Sequence, residues 1–186
     1  MNRPESISCR EAHSGKISIH LTQGLQCRQV ADAGQFGWVA AWLACCLHPG
    51  TTYNARLDNL QGFWREQLGY THGLVVVGRF YENVEGPDGN NPLVQFQPSD
   101  REPMLVACVW SRWTDPAGEQ PDLLSFAAIT DEPEPEVAAV GHDQTIINIK
   151  PEHVDAWLNP DPANLQALYE IFDGKRHPDY EHKLAV

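Results

Sequence analysis

Apolar and polar residues alternate with a period of two along much of the chain, and the period lengthens only toward the C-terminal end. From Lys16 to Leu21 the side chains of Ile17, Ile19 and Leu21 fall on one face of an extended segment, which predicts a strand. Leu74-Val75-Val76-Val77 is apolar on both faces and leads into Gly78-Arg79-Phe80-Tyr81-Glu82. Such a β-branched run suits a strand covered from both sides. Leu93 to Gln97 alternates again and predicts another strand. Met104 to Trp110 and Leu123 to Ile129 flank a turn-rich segment containing Asp115-Pro116-Ala117-Gly118, the pattern of a hairpin with a long loop. Thr145 to Ile149 adds one more short strand.

Helical spacing enters at Pro151, which suits a first helical turn, with Val154, Trp157 and Leu158 on one face. Asp161-Pro162 reads as a cap and first turn for a second helix carrying Leu165, Leu168, Tyr169 and Phe172, closed by Gly174. A short helix is also predicted over Gly62 to Leu68. The intervening segments read as connections: Asn83 to Asn91 is rich in Gly and Asn, and Asp131-Glu132-Pro133-Glu134-Pro135-Glu136 is acidic and punctuated by proline. Strands in the middle with helices around them predict an α+β fold in one domain over residues 1–186. Residues 1–35 are polar and weakly patterned.

Composition narrows the class. Hydrophobic residues make up 42% and charged residues 20% of the chain, which excludes a long disordered region. The net charge is −12. That opposes long-range attraction to duplex nucleic acid, although it leaves room for a local basic groove. The longest apolar run, Phe36 to Leu47, falls short of the ~20 residues that span a bilayer, and the start, Met1-Asn2-Arg3-Pro4-Glu5-Ser6, lacks the apolar core of a signal peptide. No membrane association and a cytoplasmic location are expected. The five cysteines form no CxxC pair, and Cys108 sits in an apolar run, so small buried thiols in a reducing compartment are expected. The eight histidines add no zinc spacing, so neither metal nor cofactor is expected, and the chain is expected to be a monomer.

Several polar residues stand out. Glu82 follows two aromatics at the end of an apolar strand, where it is either the first exposed residue or a partly buried proton shuttle. His142, in Val140-Gly141-His142-Asp143, is either a solvated loop side chain or a general acid or base. Asn54, Arg56 and Asp58 alternate and would share one face of an extended strand. That face is either solvated or lines a cleft, with donors for a phosphate or carbonyl.

In order, these segments resemble the SOS-response-associated peptidase family. Phe36-Gly37-Trp38-Val39-Ala40-Ala41-Trp42 is similar to its Trp-Gly-Leu-Val-Pro-Ser-Trp segment, and Tyr53-Asn54-Ala55-Arg56-Leu57-Asp58 to its Asn-Ala-Arg-x-Glu motif. Val77-Gly78-Arg79-Phe80-Tyr81-Glu82-Asn83 resembles Ala-Asp-Gly-Phe-Tyr-Glu-Trp, and Gly141-His142-Asp143 resembles the start of Ile-His-Asp-Arg-Met-Pro. The resemblance covers residues 36–160. It implies a mixed or antiparallel, barrel-like sheet with flanking helices.

The resemblance also implies chemistry at abasic sites in single-stranded DNA. In that family the amine of an N-terminal cysteine attacks the ring-opened sugar aldehyde to give an imine, and its thiol then closes a thiazolidine. By position, Asn54 would orient the N-terminal residue, Glu82 would shuttle protons and His142 would assist ring opening. Arg56 would grip DNA phosphate with support from Asp58. The sequence departs from the pattern at Asn2, where the cysteine would stand, and at Asp58, Arg79, Asn83, Gln144 and Ile146. An active crosslinker therefore predicts in-frame codons for Met-Cys-Gly upstream of Met1. The alternatives are a non-catalytic single-strand binder that keeps the cleft, and a hydrolase using Cys108 or Cys9 with His142.

Overall fold

The computed structural model describes residues 17–21, 29–30, 54–84, 86, 89–114, 116–119 and 123–185. The run Phe36–Leu47 and the residues Asn2, Cys9 and Cys27 lie outside them.

Among the described residues ten strands form two sheets. The larger contains β1 (Ile17–Leu21), β2 (Gln29–Val30), β3 (Asn54–Arg56), β4 (His72–Val77), β7 (Met104–Trp113), β8 (Leu123–Asp131) and β9 (Thr145–Ile146), in the order β2-β1-β4-β7-β8-β3 with β9 paired to β8. The smaller has the order β10-β6-β5, with β5 at Phe80–Asn83, β6 at Leu93–Pro98 and β10 at Tyr180–Leu184. All pairings are antiparallel except β3 with β8, where Asn54 lies opposite Ala128 and Arg56 opposite Thr130. The α-helices among the described residues are α1 (Pro135–Ala138), α2 (Val154–Leu158) and α3 (Leu165–Asp173).

Period-two alternation explains how the large sheet is covered on both sides. Val75 and Val77 of β4, Met104, Val106, Cys108 and Trp110 of β7, and Phe126 and Ala128 of β8 face the small sheet. There they meet Phe80, Val94, Phe96 and Tyr180. The intervening residues Leu74, Ala107, Val109, Ala127 and Ile129 face the helices and pack with Val154, Trp157, Leu168, Ile171 and Phe172. Two apolar layers result, one on each face of the same sheet.

The expected barrel-like closure is not found. Among the described residues, β2 pairs only with β1 and β3 only with β8, and the small sheet follows a separate path. Both sheets are open. A sheet whose two faces are already covered by different layers has no need to curl around an interior of its own.

Local differences have local causes. Gly62–Leu68 forms turns rather than a helix, with Leu68 N–H bonded to the Trp64 carbonyl. Helix α3 starts at Leu165 with Asn164 as its cap residue, so Asp161-Pro162 belongs to the preceding turn. Within the acidic connection, Pro135 opens α1, its fixed φ being suited to a first turn. Strand β10 carries no apolar alternation beyond Tyr180; Glu181, His182, Lys183 and Leu184 are exposed, and it is held by backbone pairing to β6.

One buried polar cluster ties the large sheet to α2. His72 stacks on Trp157 with ring centroids 3.9 Å apart. Its Nε2 accepts the Gly69 N–H at 2.8 Å, which leaves Nδ1 to donate to the Trp157 carbonyl at 2.9 Å. The Trp157 indole N–H donates to Gly73 O at 2.8 Å. Burial lowers the His72 pKa to about 4, so the ring stays neutral at physiological pH.

Candidate active site

Strand β5 places Glu82 by simple alternation. Phe80 lies in the apolar layer between the sheets, so Glu82, two residues on, sits on the same face opposite Val94. Its side chain is 28% exposed. Loss of hydration, with a smaller contribution from the negative charge of Asp143, raises its pKa to about 7. At neutral pH the carboxyl therefore exists in both protonation states, the condition a proton shuttle needs.

The loop after α1 supplies the second group. Gly141 has φ of 89°, a conformation that costs a residue without a β-carbon little. This reverses the chain so that His142 N–H reaches the Val137 carbonyl at 3.3 Å. The His142 ring then lies beside the end of β5, with Nε2 3.5 Å from Glu82 Oε2 and its side chain 17% exposed. That separation is at the outer limit of a hydrogen bond and well inside charge–charge range.

Below this pair the loop is attached to β8 and α1. Thr130, buried on β8, donates from Oγ1 to Gln144 Oε1 at 2.8 Å. The Glu134 N–H donates to Thr145 Oγ1 at 2.8 Å.

The third group lies on β3. Ala55 points into the helix-side core, so Asn54 and Arg56 point to the other face, the one shared by Ala128 and Thr130. Arg56 Nε donates to Asp58 Oδ2 at 3.1 Å and Nη2 to Glu132 Oε1 at 2.6 Å. The hydrogen bond and charge of Asp58, followed by Glu132 and Asp143, raise the Arg56 pKa further. Asp58 is not on the strand face as its spacing suggested; it belongs to a 3₁₀ turn over Leu57–Asn59.

The structure thus brings Glu82 to His142, and Arg56 to Asp58. Asp143, whose charge acts on both Glu82 and Arg56, relates the two pairs. Asn54 stands half-buried two residues before Arg56; among the described residues no hydrogen bond or ion pair joins it to Glu82 or His142. Glu132 carried no signal of its own, because an acidic, proline-rich run reads as a solvated connection. Asp143 and Gln144 were in view beside His142, but their partners are remote in sequence.

Among the described residues no group of three or more His, Cys, Asp or Glu side chains is arranged to hold a metal ion. No helix among them is long and apolar enough to cross a membrane. Cys108 is fully buried within the inter-sheet layer, and burial pushes its thiol far above the ordinary range. That is the environment of an inert thiol and argues against a hydrolytic role with His142.

Comparison with known proteins places this geometry in context. Residues 11–182 match the family described as SOS response associated peptidase (SRAP). A protein of known structure from Bordetella bronchiseptica is similar with a TM-score of 0.65 at 15% identity, covering 92% of this chain and 84% of its own. One from Bacteroides thetaiotaomicron has a TM-score of 0.60 at 17% identity, covering 90% and 73%. A phage-related protein from Bordetella bronchiseptica has 0.60 at 17%, covering 92% and 78%. At these identities the likeness is one of fold. No curated protein matches the chain.

Proposed function

Because the chain belongs to the SOS response associated peptidase family, we propose that it binds single-stranded DNA and acts at abasic sites, with Glu82 and His142 as its proton-transfer pair. The observation that carries this reading is the 3.5 Å approach of His142 Nε2 to Glu82 Oε2, at a carboxyl whose pKa is about 7. Opening the hemiacetal of an abasic sugar requires removal of a proton from the C1′ hydroxyl and delivery of one to the ring oxygen. Imine formation then adds an amine to the aldehyde carbon and expels the carbinolamine oxygen as water. A carboxyl poised between its two states, beside an imidazole, can serve each transfer.

In this reading Arg56 takes a DNA phosphate, Asp58 supports it, and Asn54 orients the attacking residue. Arg56 enters the encounter already paired with Asp58 and Glu132, so phosphate binding is an exchange of carboxylate for phosphate. With a net charge of −12, non-covalent affinity for DNA is weak and falls with salt.

Thiazolidine closure needs a 1,2-aminothiol, which Glu82 and His142 do not themselves supply. The second reading is therefore a non-catalytic single-strand binder. One assay separates the two. The protein is incubated with a single-stranded oligonucleotide carrying one abasic site and then resolved on a denaturing gel. A heat-stable adduct, reduced in Glu82→Gln, supports abasic-site processing. Reversible, salt-sensitive retention without an adduct supports the binder. No binding to single strands of either kind overturns both.

A further inference from the structure

We infer that Thr130 and Gln144 are positioning residues that hold the His142 loop against Glu82. The inference deepens the proposed proton-transfer reading and rests on it for its functional consequence only.

The geometry starts from where the two partners come from. Glu82 lies on the small sheet and His142 on a loop of the large-sheet half, and no described backbone hydrogen bond connects β5 to residues 141–144. Their approach therefore depends on how that loop is held to the large sheet. On its N-terminal side the loop hangs from α1, a helix of four residues, through the Gly141 N–H on the Ala138 carbonyl at 3.0 Å and the His142 N–H on the Val137 carbonyl at 3.3 Å, the second a long and weak bond. On its C-terminal side ladder pairing begins only at Thr145, opposite Asp131. Between these points the described fastening is the Thr130 hydroxyl on the Gln144 side-chain carbonyl at 2.8 Å.

Thr130 is buried, with Arg56 as one register partner and Ile146 as the other. Its hydroxyl sits on a β-branched side chain with few rotamers available, deep enough that leaving it unbonded would be costly. Gln144, two residues after His142, meets that need and in doing so fixes the loop's height above β8. The bond therefore connects a strand of the large sheet to the loop member of the Glu82–His142 pair. It also sets the location of Asp143, whose charge reaches both Glu82 and Arg56. A bland role, satisfying a buried hydroxyl, accounts for the hydrogen bond but makes no claim about His142.

The test reads His142 directly and needs no DNA. In the full chain, the ring resonances of His142, assigned by their loss in His142→Gln, are followed by NMR across pH. A group 3.5 Å from a titrating carboxyl reports that carboxyl's titration as a second inflection, which Glu82→Gln removes. Thr130→Val, nearly isosteric but without the hydroxyl, is expected to abolish the inflection, and Thr130→Ser to retain it. Gln144→Met supplies the same test from the less buried partner if Thr130→Val does not fold. Thr130→Val or Gln144→Met that folds cooperatively and keeps the second inflection overturns the positioning role. If abasic-site turnover is absent in every form while the inflection behaves as stated, the functional reading fails and the positioning stands. If turnover is present, Thr130→Val is expected to slow it at least tenfold with single-strand affinity unchanged.

Discussion

The imidazole of His142 approaches the carboxyl of Glu82 to 3.5 Å, the first on a loop after a four-residue helix and the second at the end of a strand in the smaller sheet. Neither segment neighbours the other along the chain. The apolar layer between the sheets strips water from Glu82, and the histidine meets the carboxyl from the neighbouring loop.

Glu82→Gln keeps the shape of the side chain but cannot exchange a proton. Adduct formation with abasic single-stranded DNA is expected to slow by about 100-fold or more, and the rate–pH profile to lose its inflection near pH 7. An unchanged profile in the variant would remove Glu82 from the chemistry.

Glu82 and His72 act on stability with opposite signs. Glu82 holds its proton to about pH 7 in the fold, against 4.5 as its ordinary value. The folded state therefore binds more protons in that window, and stability falls as pH rises through it. His72 titrates at about 4 rather than 6.5. The unfolded state binds more protons there, so stability drops as pH falls from 6.5 toward 4. Denaturant titrations across pH should show Glu82→Gln gaining of order 1–2 kcal/mol over the parent above pH 7. His72→Gln should lose the acid-side slope, of order 2–3 kcal/mol.

Arg56 and Glu132 test how the site meets DNA. If phosphate displaces the carboxylates, Arg56→Ala weakens single-strand binding and lowers the slope of log affinity against log salt by about 0.7. Glu132→Gln, which removes the competitor at 2.6 Å, strengthens binding. Equal affinities for all three proteins would assign Arg56 to the fold alone.

Trp157 anchors α2 to the large sheet through its stack on His72 and its bond to Gly73 O. Trp157→Ala should cost about 3–5 kcal/mol in unfolding free energy. Trp157→Phe keeps most of the packing but orphans the Gly73 carbonyl, at about 1–3 kcal/mol. Chemical denaturation measures both.

Cys108 is sealed between the sheets. Peptide mapping after treatment with a thiol-alkylating reagent should find Cys108 unmodified in the folded protein and labelled after unfolding. Labelling of the native form would reopen a nucleophilic role.

The strands were legible where burial was two-sided or alternation was regular. Leu74–Val77 and the Met104–Trp110 and Leu123–Ile129 pair occupy β4, β7 and β8. Strand β10 was not, because four of its five residues are exposed and its pairing with β6 comes from a segment remote in sequence. Gly62–Leu68 failed as a helix because one i-to-i−4 bond there does not meet the cost of nucleation. At the site, Glu82, His142, Arg56 and Asp58 stood out as residues, but Glu132 and Thr130 did not. Their significance lies entirely in partners that folding brings to them.

The sequence by itself determined that the central strands are apolar on both faces, since an unbroken apolar run is a property of neighbouring residues. It also determined which ionisable groups stand at strand ends and loops. Only the tertiary structure decided that the two sheets stay open, that Glu82 is desolvated beside His142, and that Arg56 is engaged by Glu132. Closure, desolvation and ion pairing depend on distances between segments remote along the chain, and no local pattern encodes those distances.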